Sequence, residues 1–442
     1  MMTLPSSAAR CITMLEEAGF AAYAVGGCVR DALSGRTPHD FDLCTAATPE
    51  QMKDLFRDFS LVLAGEKHGT VGVVCDGDVV EITTFRTEGT YRDNRHPDSV
   101  EFVTDIVQDL SRRDFTINAM AWSPTRGLSD PFGGQEDLKN GILRAVGDPE
   151  TRFREDSLRI LRGVRFATRF DLTPEQDTSE AMERLSPLME NLARERVFDE
   201  LCKLLSAVNT AALLRFSLIL CQTIPELAPT VGFQQHTPHH IYDVFTHTAH
   251  VVENVPATLP LRWAALLHDI GKPVCFTLDE QGCGHFYGHA KVSAEMADAV
   301  LLRLKAPTAL RQQVRLLIEQ HMTPLVPDKK LLRRRLAQYG TEAVCALLQL
   351  QQADITGTGV TEGALDLRQI PVLLEEILRE NACLSLKDLA VNGHDLMALG
   401  IIGPDIGKTL NALLAQVLEE ILPNKKEALL QAARQIHTGG IL

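Results

Sequence analysis

The chain has 442 residues, 45% of them hydrophobic, and a formal net charge of −14. That length exceeds what one core holds and implies roughly two to four domains. The acidic balance argues against a broad nucleic-acid binder, and no run of about eighteen apolar residues offers a membrane span. The first twenty residues lack the basic segment and apolar core of a secretion signal. Ten cysteines are scattered without a C-x-x-C pair, which fits reduced thiols and a cytoplasmic location.

Taken along the chain, the elements begin with an amphipathic helix at residues 11–18, stopped by Gly19, and a strand at 21–25 that runs into Gly26-Gly27. Thr48-Pro49-Glu50-Gln51 predicts a helix start, with Thr48 as N-cap and Gln51 placed for a capping box. Apolar runs at 71–75 and 79–85 flank Asp76-Gly77-Asp78, a hairpin signal. Past residue 140 strand signals fade and leucine-rich stretches of helical period take over. Pro- and Gly-bearing breaks near 225–239, 323–328 and 357–363 divide that remainder. The expected fold class is α+β: a small α/β head followed by a long helical part.

Residues 25–43 read VGGCVRDALSGRTPHDFDL. If 39–43 is a strand, Asp40 and Asp42 point together while Phe41 and Leu43 enter the core. Paired carboxylates repel unless a divalent cation lies between them. The glycine pair lets backbone approach phosphate, with Arg30 one helical turn on. Such a constellation suits phosphoryl or nucleotidyl transfer.

Glu81, in the strand VVEITTFR, fits a third carboxylate near the metals and equally an exposed strand residue. Residues 85–97 are polar, as in a mobile loop. RRDFTINAMAW at 112–122 sets Arg112 and Arg113 beside an acid, leading into a helix: a phosphate site or a salt-bridged helix start. Residues 144–169 hold seven arginines. On one helix Asp156 and Arg159 would be i, i+3 neighbours with Arg162 a turn further. An adjacent carboxylate and guanidinium can read a base edge, or can form an ordinary surface salt bridge.

GGCVRD, HDFDL, RRDFTINAM and EDSLRILRGVRFA occur in the order of one family. Over residues 20–205, and again from about 385, the chain resembles the class II tRNA nucleotidyltransferases: CCA-adding enzymes and bacterial poly(A) polymerases. The resemblance implies a polymerase-β-like nucleotidyltransferase head at 1–140 and a helical, nucleotide-selecting and RNA-binding neck at 141–230. An HD-containing body at 231–362 and a tRNA-contacting tail at 363–442 would follow. It implies Asp40 and Asp42 as Mg²⁺ ligands and catalytic residues, with Glu81 beside them. Gly27, Arg30 and Arg113 would hold the triphosphate, and Asp156, Arg159, Arg162 and Arg165 would select C or A. Arg194-Glu195-Arg196 resembles a supporting neck motif. The implied partners are tRNA, ATP and CTP.

The flexible loop at 85–97 and a tail balanced in charge point to full CCA addition over poly(A) synthesis or partial addition. Nine of fourteen histidines fall between 236 and 321. His247, His268-Asp269, His289, His321 and Asp354 follow an order resembling the HD metal-dependent phosphohydrolases. His247, His268, Asp269 and Asp354 would bind one divalent ion, and His289 and His321 would allow two. That ligand mix suits Mn, Fe, Ni, Co or Zn. The alternatives are a metal-free HD scaffold, an RNA-binding module, and an HD hydrolase with a vestigial head.

Overall fold

The strand signals of the first 140 residues assemble into one seven-stranded sheet. Its order is Ser60–Val62, Thr70–Cys75, Asp78–Thr84, Leu43–Thr45, Ala22–Val25, Ala121–Ser123 and Gly127–Ser129. Leu43–Thr45 runs parallel to Asp78–Thr84 and antiparallel to Ala22–Val25. The computed structural model describes residues 2–38, 40–88, 100–360, 367–380 and 383–438. They divide into two compact units, Met1–Ala228 with Leu302–Ala306, and Pro229–Leu301 with Pro307–Leu442.

In the first unit, the expected turn sits between Thr70–Cys75 and Asp78–Thr84, with Asp76 and Gly77 at φ of 53° and 91°. Two left-handed residues match the twist of the flanking strands. Thr48 forms the expected capping box with Gln51 at the head of Pro49–Leu55. That helix and Ser6–Glu17 bury Met52, Ile12 and Leu15 against Val71, Val73 and Ile82, each burial contributing roughly 1.5–3 kcal/mol.

The strand expected at 39–43 is shorter. Pairing begins at Leu43, and Asp40 to Asp42 only lead into it, with the Asp42 carbonyl accepting from Val25 N–H at 3.0 Å. The alternation nevertheless holds. Phe41 packs on the core and Leu43 is buried, while Asp40 and Asp42 remain open to solvent. His39 and residues 89–97 of the expected loop lie outside the described residues.

Two further expectations change. Residues 112–122 do not lead into a helix: Arg112 caps the end of Ile106–Ser111, and a 3₁₀ turn at Thr116–Asn118 then enters the strand Ala121–Ser123. Residues 155–167 are not one helix either. Pro149–Glu155 ends where Asp156 turns extended (φ −142°, ψ 102°), and a new helix runs Leu158–Phe170. Leu158, Leu161 and Val164 are buried as expected, and their helix packs against Arg194–Leu205.

The second unit is helical apart from the short ladder Thr277–Leu278 with Gly284–His285. Val244–Asn254, Leu259–Leu267, Thr308–Gln320 and Thr341–Gly357 pack together, with Trp263 fully buried. Leu396, Leu413, Leu429 and Ala433 form a separate core in the tail. All ten cysteines are free thiols. Among the described residues no helix is long and apolar enough to cross a membrane.

Candidate active site and histidine cluster

A cleft of about 900 Å³ opens in the first unit between the sheet and the helix Leu158–Phe170. Gly26, Gly27, Asp40 and Asp42 line it together with nine arginines, Lys203 and further aspartates. Gly26 turns the chain at φ 76°, and a Cβ there would stand 2.9 Å from Arg113 Nη1. The left-handed φ, with ψ at −122°, is what reserves the position for glycine. Although solvent reaches Asp42, the surrounding protein raises its carboxyl above the ordinary value; Arg113 opposes the rise and Asp40 adds to it. A divalent cation relieves that strain, so the pair fits a metal-binding role.

Arg30 is buried and fixed on three sides. Its Nη1 donates to Asn118 Oδ1 at 2.5 Å, its Nε and Nη2 donate to Asp31 Oδ1 at 2.9 and 2.7 Å, and its guanidinium lies 4.2 Å from the centre of the Phe170 ring. Glu81 does not line the cleft. It is exposed, and it precedes the Leu43↔Ile82 pair by one residue. Asp42 itself lies outside the paired register, which begins at Leu43.

Asp156, Arg159, Arg162 and Arg165, expected to select the base, line the cleft with partners other than those expected. Asp156 and Arg159 do not pair with each other, because the chain breaks at Asp156. The Asp156 carboxylate accepts from Arg196, at 2.8 Å from Nη2 and 3.4 Å from Nη1. Arg159 donates to Glu155 Oε2 at 2.6 Å and to the carbonyls of Arg152 and Arg112 at 3.1 and 3.0 Å. Arg162 is held by Asp114, and Arg165 by the buried Glu200. Phe166 carries Arg165 at 4.1 Å and Arg162 at 5.3 Å. Asn118, Lys203, Phe166 and Phe170 escaped the sequence reading. Only the last two left a signal, as aromatics at i, i+4 in the arginine-rich helix.

Three stretches match known family models. These are the poly A polymerase head domain over 22–144, the probable RNA and SrmB-binding site of polymerase A over 171–230, and a putative tRNA nucleotidyltransferase domain 2 over 276–433. The CCA-adding enzyme of Ligilactobacillus salivarius is 33% identical over 450 residues, covering 98% of either chain. The chain belongs to the CCA-adding enzyme family. A second CCA-adding enzyme, from Enterococcus faecalis, is 46% identical over 212 residues, 47% of this chain and 52% of its own. The crystal structure of Bacillus stearothermophilus CCA-adding enzyme in complex with CTP is similar over 99% of both chains, with a TM-score of 0.74 and 27% identity. The chain is thus a tRNA nucleotidyltransferase, and membership of that family implies divalent-metal chemistry.

The second unit of this CCA-adding family member gathers all six residues of the expected histidine set. His247 comes from Val244–Asn254, His268 and Asp269 follow Leu259–Leu267, and His289 opens His289–Arg303. His321 caps Thr308–Gln320, and Asp354 lies in Thr341–Gly357. His247 Nε2 stands 3.0 Å from Asp354 Oδ1, and His268 Nε2 3.2 Å from Asp269 Oδ2. Asp269 Oδ1 faces His289 Nε2 at 3.3 Å and His321 Nε2 at 4.0 Å.

The ring orientations are informative. Nδ1 of His268, His289 and His321 lies 2.8, 2.8 and 2.6 Å from the carbonyls of Ala265, Phe286 and Ile318. For His289 and His321 the carbonyl fixes the tautomer that turns an Nε2 lone pair inward, the arrangement found behind metal-bound imidazoles. Among the described residues, Nε2 of His321 has no hydrogen-bond partner, and Asp269 Oδ1 lies 4.0 Å from it. Burial drives His321 down to about 4. Burial also opposes a proton on His268, but Asp269 and Asp354 reverse this and raise it to about 10. Lys272 Nζ lies 2.8 Å from both Asp269 Oδ2 and Gln235 Oε1.

Proposed function

We propose that this chain completes the 3′ end of tRNA, adding C, C and A from CTP and ATP without a nucleic-acid template. The observation that carries this is the single cleft that joins Asp40 and Asp42 to Gly26-Gly27 and to Asp156, Arg159 and Arg162. Asp40 and Asp42 hold Mg²⁺, and Glu81, on the neighbouring strand, is the third carboxylate of this reading. Bound Mg²⁺ supplies Lewis acidity toward the tRNA 3′-hydroxyl and the departing pyrophosphate. The Gly27 backbone, Arg30 and Arg113 offset triphosphate charge. Asp156 accepts from the exocyclic amine that cytosine and adenine share, and the arginines donate to the ring acceptors. Positioning carries the catalysis.

The domain assignment that goes with this reading is a head at 1–140, a neck at 141–230, an HD body at 231–362 and a tRNA-contacting tail at 363–442. CCA addition is favoured over poly(A) synthesis because the tail is balanced in charge and Lys329, Arg333 and Arg334 of Lys329–Tyr339 are paired with glutamates. Lys329 pairs with Glu376 and Glu380, and Arg333 with Glu380 and Glu420. A compact folded RNA suits such a balanced surface better than a long tail.

The test offers tRNA lacking its 3′ end with CTP alone, ATP alone, or both. CC followed by one A is expected; an A-tail from ATP alone means a poly(A) polymerase. Asp40→Ala should abolish addition while tRNA binding persists, and retained turnover would overturn the assignment.

The histidine cluster supports a second activity. We read it as an HD phosphohydrolase site in which His247, His268, Asp269 and Asp354 hold one ion and His289 and His321 admit a second. A Mn, Fe, Ni, Co or Zn ion there supplies Lewis acidity toward a phosphate ester. The convergence of all six side chains and the unpartnered Nε2 of His321 carry this reading. Phosphatase or cyclic phosphodiesterase action would trim damaged RNA 3′ ends before CCA repair. Absence of hydrolysis of phosphomonoesters and 2′,3′-cyclic phosphates under added Ni²⁺ or Mn²⁺, with no metal retained, would remove it.

A further inference from the structure

Outside both sites, a second group of metal-ligand types lies on the hairpin Thr277–Leu278 with Gly284–His285. Asp279, Cys283 and His285 each offer a donor atom within 4.8 Å of the other two. The remaining atoms of the turn hold them there. Asp279 Oδ1 accepts from the N–H of Gln281 and of Cys283, at 3.0 and 2.8 Å. This leaves Oδ2 to face His285 Nε2 at 2.9 Å. The Cys283 thiol makes only a long contact, 4.0 Å to the Gly284 carbonyl.

We propose that Asp279, Cys283 and His285 form a site for one thiophilic divalent cation of the Zn²⁺ class, separate from the histidine cluster. Carboxylate, thiolate and imidazole are the zinc donor set, and three protein ligands leave a fourth position for water. The proton balance is simple. Cys283 gives its thiol proton to solvent, and the ion replaces the proton between Asp279 Oδ2 and His285 Nε2. That imidazole proton moves to Nδ1, which faces the Tyr287 hydroxyl at 3.4 Å. Tyr287 thus supplies the outer partner that fixes a ligating histidine's tautomer.

The fold gives the ion something to do. Two residue pairs make a marginal ladder, and here Leu278 is 55% exposed. A metal clip is one way such a short element is held. His289 lies four residues past His285, so a fixed hairpin also fixes the approach to the helix that carries it.

The experiment adds Co²⁺ to the metal-stripped full chain and reads the near-ultraviolet thiolate-to-cobalt absorption. The histidine cluster contains no cysteine and cannot produce that band. Wild type should show it, and Cys283→Ser and His285→Ala should each lose it. A silent wild type, or a band that survives Cys283→Ser, overturns the proposal. So does a band lost with Cys283→Ser but kept in His285→Ala, which would be a lone thiol taking metal. Cys283 is partly exposed, and circular dichroism confirms that each variant is folded.

Discussion

Asp114 Oδ2 accepts from Arg162 Nε at 2.8 Å and stands 2.6 Å from its Nη2, tying the segment before the strand Ala121–Ser123 to the helix Leu158–Phe170 across 48 residues of sequence. Burial works to raise the Asp114 carboxyl, but Arg162 and the amides of Asn118 and Phe115 bring it down to about 2. A carboxylate depressed by folding stabilises the native state above its unfolded pKa, and that contribution is lost as pH falls through the folded value. The window therefore runs from about pH 4 down to about 2. Arg162 is 37% exposed, so solvent screening trims the effect to roughly 1–2 kcal/mol. Asp114→Asn should lose about that much at neutral pH and flatten the acid limb. Urea melts across pH check this; an acid limb identical to wild type would contradict the pairing.

Asp156 is held by Arg196 and not by its helical neighbour. Asp156→Ala should relax discrimination of C and A against U and G by roughly tenfold to a hundredfold, the worth of one good bidentate base contact, or about 1–3 kcal/mol. Arg196→Ala should give a smaller loss in the same direction, because the carboxylate stays but is no longer aimed. Single-nucleotide incorporation with all four triphosphates measures both. Unchanged selectivity in Asp156→Ala would remove the residue from base recognition.

Arg30 stacks 4.2 Å from the Phe170 ring centre, a contact contributing roughly 0.5–2 kcal/mol when partly desolvated. Phe170→Leu keeps the helix and most of the packing but loses the ring face. KM for CTP and for ATP should rise together, by a few-fold to about thirtyfold, with base selectivity intact. A change confined to one nucleotide would place Phe170 at the base and not behind Arg30.

What is legible in the sequence is what lies close along the chain. The Gly26-Gly27 turn, the Thr48 capping box, the Asp76-Gly77 hairpin and the Asp40/Asp42 alternation depend on neighbours within a few residues. The partners of the cleft arginines do not. Arg30 meets Asn118 across 88 residues, and Asp156 meets Arg196 across 40. Helical spacing therefore proposed Arg159 as the partner of Asp156, a pairing that the extended backbone at Asp156 prevents. The strand begins at Leu43 and not at 39, because alternation marks which face a residue takes, not where hydrogen bonding begins. The histidine cluster is legible from residue type and order, but the carbonyls that orient its rings, three residues before each histidine, in a helix for His268 and His321 and in a turn for His289, leave no mark in the sequence pattern.

Metal removal should act on the second unit through those rings. Asp269 and Asp354 are both held well below the ordinary carboxylate range despite burial, by histidines and, for Asp269, also by Lys272. A divalent ion neutralises that pair more fully than one imidazolium. An ion that binds only the folded state adds about 2.7 kcal/mol at a hundredfold excess over its dissociation constant. Chelation should accordingly lower the melting transition by several degrees, and added Mn²⁺ or Ni²⁺ should restore it. His321→Ala removes an Nε2 from the cluster and should blunt the metal response, while CCA addition continues in the other unit. Calorimetry with and without chelator makes the comparison. A transition indifferent to chelator, Mn²⁺ and Ni²⁺ would mean that the cluster is held by its own protons and serves as scaffold.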